Sequence, residues 1–223
     1  SSIPEPSLAA PLRLCLDPEL GAGALLEGGG EPDIDSYFWT ITNKDDGTVL
    51  RNNYGGPGDE FQNLDQIFNS PGTYTIELRV DRCGDPEYFR ESTEILVEAP
   101  PELTLADDAT LCAGNPVTLT AIDGYDPAEG LYDFEWTNAA GQVFGDENSN
   151  TITVDEESIY TVNVSYRIPD GLSDDEALLY ETCPSTKDVF VGPAFEFDLD
   201  QTATEVCYEE TSVTFAPNTP ITG

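Results

Sequence analysis

Apolar and polar residues alternate in short runs along the chain. Tyr74, Ile76, Leu78 and Val80 alternate with Thr75, Glu77 and Arg79, and Tyr160, Val162, Val164 and Tyr166 alternate with Thr161, Asn163 and Ser165. Neighbouring side chains of a strand point to opposite faces, so each run predicts a strand with one buried face. Val117, Leu119 and Ala121 repeat the pattern, as do Val213 and Phe215. A last strand is predicted after each long run, over Thr93 to Glu98 and over Asp188 to Val191. No segment keeps a helical period. Short strands between Gly- and Pro-containing turns predict an all-β chain of antiparallel sandwiches.

The runs recur at a fixed distance. Intervals between alternate cysteines are 112 − 15 = 97, 183 − 83 = 100 and 207 − 112 = 95, and the two tryptophans are separated by 136 − 39 = 97. A period of this size signals whole domains in tandem. Leu14-Cys15, Leu111-Cys112 and Val206-Cys207 open successive units, and Tyr37-x-Trp39 matches Phe134-x-Trp136. Pro-containing joints follow the last strands at Ala99-Pro100-Pro101 and Gly192-Pro193. The expected domains are 1–99, 100–192 and the first strands of a third unit over 193–223. Stiff short joints and like charge favour an end-to-end, elongated monomer.

The repeat register pairs Cys15 with Cys83 and Cys112 with Cys183, and leaves Cys207 unpaired by truncation. Closing loops this long contributes roughly 4 kcal/mol each in the chain-entropy account. Disulfides persist outside the cytosol. A zinc site is the rival reading of five cysteines, but it needs close Cys pairs or His, and the sequence has neither.

Charge narrows the partners. Asp and Glu number 44 against 8 Lys and Arg, for a net charge of −36. Nucleic acid needs clustered cations and is excluded as an expected partner, and direct membrane insertion is not expected either. The chain starts at Ser1 in loop-like sequence, without Met, signal peptide or lipidation motif, and is read as an excised fragment.

Pro71-Gly72-Thr73-Tyr74 and the alternation after it resemble the penultimate strand of PKD domains. Tyr37-Phe38-Trp39, after a Gly/Pro/Asp-rich loop, is similar to another strand of that family. The second unit, from Leu111-Cys112-Ala113-Gly114 through Ile159-Tyr160-Thr161-Val162, resembles the cysteine-bearing PKD- or Ig-like repeats of Bacteroidota surface proteins. The resemblance implies a PKD-like or Ig-like fold in very long type IX-secreted proteins, gliding-motility adhesins among them. The WDFGDG-like signature of standard PKD domains is absent, since Trp39 runs into Thr40-Ile41-Thr42.

Little in the chain suggests a reaction. With no His there is no imidazole base and no His-based triad. No catalytic residue is assigned and no cofactor is required. Trp39, Trp136, Tyr74 and Tyr160 sit mid-strand and are assigned to the cores. Tyr54, Tyr88, Tyr125 and Tyr132 fall in loops and are the aromatics placed to touch a ligand. Calcium is the sharpest site hypothesis, because loop carboxylates supply the oxygens that this hard cation takes. Asp123-Gly124-Tyr125-Asp126 is the leading loop, followed by Asp107/Asp108 past the first joint and Asp33/Asp35; Asp45/Asp46, Asp174/Asp175/Glu176 and Asp198/Asp200 are lesser clusters.

These features predict a non-catalytic structural or adhesive segment of a long extracellular, cell-surface adhesin, a stalk or spacer for surface attachment or gliding. Its partners would be neighbouring repeats and an extracellular surface or glycan. A glycan- or protein-binding module and an accessory domain of a secreted hydrolase are the rival readings.

Overall fold

The computed structural model describes residues 7–82, 88–112 and 115–193. They form two compact units, 7–101 with 165–185, and 102–164 with 186–193. The expected third unit lies outside the described residues.

The first unit contains β1 (Leu8–Ala9), β2 (Arg13–Cys15), β3 (Ala22–Gly28), β4 (Asp35–Asn43), β5 (Val49–Gly55), the single helical turn α1 (Asp59–Gln62), β6 (Asn63–Phe68), β7 (Gly72–Arg82) and β8 (Tyr88–Glu98). They build a three-stranded sheet, β1-β3-β6, and a five-stranded sheet, β2-β8-β7-β4-β5. The inward residues of both sheets make one core, with Leu26 and Phe68 from the smaller sheet against Tyr37, Ile41, Ile76, Leu78 and Ile95 from the larger.

The second unit repeats this plan with β9 (Asp108–Leu111), β10 (Val117–Thr120), β11 (Tyr132–Asn138), β12 (Val143–Phe144), β13 (Thr151–Val154), β14 (Ser158–Tyr166) and β15 (Ser185–Pro193). The pair β10-β13 joins the five-stranded sheet β12-β11-β14-β15-β9. Leu119, Ile152 and Val154 meet Phe134, Trp136, Val162, Val164 and Val191 in its core. Both units are all-β sandwiches.

The two units share specific devices. Trp39 and Trp136 are buried, and each indole N–H donates to a backbone carbonyl, of Phe61 at 3.0 Å and of Ser149 at 2.8 Å. A buried indole needs such a partner, because an unpaired N–H costs about as much as a lost hydrogen bond. Tyr74 and Tyr160 stand third in β7 and β14 and donate to the carbonyls four residues earlier, of Ser70 at 2.9 Å and Glu156 at 3.0 Å. This is the tyrosine-corner arrangement of immunoglobulin-type sandwiches. The Pro71-Gly72 turn before Tyr74 needs its glycine, since Gly72 has φ +144° and a Cβ there would come within 2.7 Å of the Asp45 carboxylate.

One feature departs from an all-antiparallel fold. The first strand of each five-stranded sheet runs parallel to its last, β2 beside β8 and β9 beside β15. A parallel partner needs a long crossover, and here the remaining strands supply it. Leu14 and Leu111 thereby occupy equivalent edges, paired with Val97 and Pro193.

A buried ion pair fixes the turn before β4. The Asp35 carboxylate is fully buried and accepts from Arg82 Nε at 2.7 Å and from the Glu31 backbone N–H at 2.7 Å. Burial raises the carboxyl pKa, but the Arg82 hydrogen bonds, the Glu31 N–H and the guanidinium charge outweigh it and hold Asp35 below its ordinary value. The Tyr37 hydroxyl beside it has no hydrogen-bond partner, and burial together with the Asp35 charge pushes it up to about 12.

Two outcomes follow for stability. Trp136→Ala should cost about 3–5 kcal/mol in denaturant unfolding, and Tyr160→Phe about 1 kcal/mol. For Asp35, a depressed folded pKa means its stabilisation is present above the unfolded carboxylate pKa and is lost as pH falls through the lower folded value. Asp35→Asn should lower stability at pH 7 by about 2 kcal/mol, since it removes the buried charge that the Arg82 guanidinium bonds. It should also flatten the acid limb of a stability–pH profile, and an unchanged acid limb would show that this pair does not set it.

Candidate functional site

The chain leaves the second unit after Val164, joins the first over Ser165–Ser185, and returns. This excursion has its own local code. Ser173 caps the one-turn helix α2 (Asp174–Ala177): the Glu176 N–H donates to Ser173 Oγ, and the Ser173 N–H donates to Glu176 Oε2 at 2.9 Å. That reciprocal pair is a capping box. It lowers the Glu176 pKa through the Ser173 hydrogen bonds.

Beyond α2 the chain lies along β2. The N–H groups of Leu12 and Arg13 donate to the Leu179 carbonyl at 2.7 and 3.1 Å, and Glu181 N–H donates to the Arg13 carbonyl at 3.2 Å. Cys15 N–H donates to the Glu181 carboxylate at 2.6 Å. Arg13 and Tyr180 form a parallel bridge. The segment therefore completes the open edge of β2, whose other side is held by β8.

Arg13 is the centre of this contact and is only 8 % exposed. Its guanidinium lies 5.3 Å from the Tyr166 ring and 5.5 Å from the Tyr180 ring, and donates to the Arg167 carbonyl at 3.1 Å. Glu98 stands 3.0 Å from its Nε as an ion pair, although the two atoms are not aligned as a hydrogen bond. Burial raises the Glu98 pKa, and the Arg13 charge offsets only part of that rise. The Tyr166 hydroxyl donates to the Ala99 carbonyl at 3.1 Å. Rings above a guanidinium and a carboxylate beside it replace the water that burial removes.

The disulfide follows from this packing. Cys15 is bonded to Cys183, with Cα atoms 5.1 Å apart and a separation of 168 positions in sequence. Cys183 takes φ +48°, the left-handed region that residues other than glycine seldom enter, and is 1 % exposed. The expected Cys15–Cys83 and Cys112–Cys183 pairs are therefore corrected. Repeat register had equated Cys83 with Cys183, but the connection that carries Cys183 is long enough to reach β2 of the first unit. Cys112 is disulfide-bonded too, and its partner lies outside the described residues, as do Cys83 and Cys207.

The sequence held a signal of this. Tyr74 and Tyr160 are equivalent and 160 − 74 = 86 residues apart, whereas Cys83 and Cys183 are 100 apart. Cys183 is thus displaced by 14 residues from the position equivalent to Cys83. The capping pattern Ser173-x-x-Glu176 and the apolar Leu178-Leu179-Tyr180 lie within that extra length.

The acidic clusters are distributed rather than gathered. Asp35 is engaged by Arg82, while Asp33 is exposed. Asp107 pairs with Lys187 at 3.1 Å, and Asp108 lies in β9. Asp126 accepts from the Ala128 N–H at 2.9 Å and caps a short 3-10 turn, and Asp123 is exposed at the Gly124 turn. Asp45 and Asp46 accept from the N–H groups of Thr73 and Thr48. Asp174, Asp175 and Glu176 form the first turn of α2, and Asp198/Asp200 lie outside the described residues. Among the described residues no group of three or more His, Cys, Asp or Glu side chains comes together.

Of the aromatics expected in loops, Tyr54 lies in β5, Tyr88 opens β8 and Tyr132 opens β11, while Tyr125 lies between β10 and β11. Tyr125 and Tyr132 pack with Phe134, and the Tyr125 hydroxyl accepts from the Leu131 N–H at 3.0 Å. Tyr54 is 63 % exposed in β5, with its ring 6.4 Å from that of Phe38. Trp39, Trp136, Tyr74 and Tyr160 all lie in the cores.

Arg13→Ala should lower the unfolding free energy by about 3 kcal/mol, because it leaves Glu98 buried without its partner. Amide exchange should accelerate at Leu12, Arg13 and Glu181 ahead of β11 and β14. Uniform acceleration across both sandwiches would contradict a local role for this contact.

No family model matches the sequence, and no curated protein matches it. Solved structures similar to it in outline are multi-domain chains. The FN1–FN3 domains of chicken CNTN1 align at 11 % identity over 85 % of this chain and 68 % of that one, with a TM-score of 0.34. The BSP domain of a biofilm-associated protein aligns at 14 % identity over 84 % and 29 %, with a TM-score of 0.29. The four N-terminal Ig domains of Dscam1 isoform 8.4 align at 15 % identity over 86 % and 47 %, with a TM-score of 0.33.

Proposed function

We propose that the chain is a non-catalytic structural segment of an extracellular adhesive protein, working as a stalk or spacer between other parts of that protein. The observation that carries this reading is the bonded pair Cys15–Cys183, which fastens the start of one sandwich to a segment issuing from the next. A bond of this kind persists in oxidising surroundings and adds nothing to a soluble cytosolic chain. The repeated tryptophan and tyrosine devices support the same reading, since they maintain a scaffold. No helix among the described residues is long and apolar enough to cross a membrane. The setting implied by the PKD-like resemblance is a long Bacteroidota surface protein, of the type IX-secreted and gliding-adhesin kind.

A second reading has one observation in its favour. The exposed Tyr54 ring lies beside the half-buried Phe38 ring on the outer face of the five-stranded sheet, a surface that could stack on a sugar.

A replacement experiment separates the two. Residues 1–193 are exchanged, within the parent protein, for an unrelated pair of disulfide-bonded sandwiches of similar length, and attachment of the bearing cells is measured. A spacer predicts attachment within about two-fold of the original. Lost attachment, together with glycan-array binding by the isolated chain that Tyr54→Ala abolishes, would replace the spacer by the binding module.

A further inference from the structure

We infer that Cys15–Cys183 is a mechanical bypass that removes β3 to β14 from the path of a pulling force. The inference deepens the spacer reading and rests on it for its biological use, but its physical content depends only on connectivity. The bond closes a covalent ring around residues 16–182, which hold β3 to β14 and both indole-containing strands β4 and β11. Tension applied to the two ends of the chain takes the shortest covalent route. It enters through β2, which ends on Cys15, crosses the bond, and leaves through β15, which begins two residues after Cys183.

The elements left in that route suit the task. β15 is paired with β9 over its last four residues, Phe190 to Pro193, and is also bordered by β14, so pulling between its ends loads those hydrogen bonds together, in shear. β2 is held by β8 on one side and by Leu179 and Glu181 on the other, with Arg13 buried between them. Trp39 and Trp136 lie within the ring, so the strands that carry them bear no end-to-end tension while the bond is intact, and Leu14, Val189 and Val191 are core residues that stay in the loaded route.

Reduction releases the ring. Cys183 is buried and Cys15 only half-buried, so an external dithiol reaches the bond at Cys15. Its thiolate attacks the Cys15 sulfur, the S–S bond breaks, and Cys183 leaves as a thiolate that takes up a proton. The second thiol of the reductant then attacks the mixed disulfide, frees Cys15 as a thiol, and ends as the oxidised disulfide, having supplied two electrons. Once the Cys112 bond is reduced as well, the chain gains a length reserve of about 60 nm, from a separation of 168 residues at roughly 3.5 Å each.

Single-molecule extension between Ser1 and Gly223 tests this. The oxidised chain has 14 residues before the bond and 40 after it, and should extend by no more than about 19 nm. With all disulfides reduced, the limit should rise to about 78 nm. The oxidised double variant Cys15→Ser/Cys183→Ser should exceed the 19 nm ceiling, and this readout holds whether or not the variant folds. Oxidised wild-type chain stretching past that ceiling, or a reduced chain that stays within it, would overturn the bypass. A trace as expected, combined with failed attachment in the replacement experiment, would keep the bypass and discard the spacer role.

Discussion

A guanidinium can be buried only where something replaces its water, and for Arg13 that requires three separate pieces of chain. Glu98 supplies the charge, Tyr166 and Tyr180 the aromatic faces, and Arg167 a carbonyl. Removing any of them leaves the others poorly solvated, so they hold their places together. The consequence is positional. Arg13 is two residues before Cys15, and Tyr180 is three before Cys183, so packing that centres on the guanidinium also brings the sulfurs together. The covalent ring, the edge pairing of β2 and the attachment of 165–185 to the first unit depend on this one buried cation.

Cations are scarce in this chain, and their use reflects that. Of 8 Lys and Arg, Arg13, Lys44, Arg79, Arg82, Arg90 and Lys187 are in ion pairs with carboxylates. Lys44–Glu94 is exposed and worth little. Arg13 and Arg82 are the buried ones, and each fixes a place where irregular backbone meets a sheet. With 44 acidic side chains, the surface carries a strong negative field, and most of the few cations are placed against carboxylates within it.

The fold was legible because strand periodicity is a local property. The alternation around Tyr74 and Tyr160 predicted β7 and β14, and the Trp39–Trp136 interval located equivalent strands of two domains. The tyrosine corners lay in the same residues, yet their hydrogen bonds reach back four residues through turns that alternation does not describe. The parallel strands β2 and β9 were also hidden, because pairing partners on the far side of a domain leave no mark in sequence spacing. Disulfide connectivity failed for a related reason. Near-equal cysteine intervals averaged over a shorter stretch between Trp136 and Tyr160 and a longer one after Tyr166. Anchoring the register on Tyr74 and Tyr160 exposes the displacement of Cys183, but where the extra segment docks was decided by the environment of Arg13.

The cysteine pairing carries the most weight in this account, and it is directly measurable. Peptide mapping of the oxidised chain by mass spectrometry, with thiols blocked and no reductant present, should yield a linked pair of peptides that contain Cys15 and Cys183. Recovery of Cys15 linked to Cys83 instead would restore separate disulfides within each repeat, and it would contradict the ring on which the load-bypass rests.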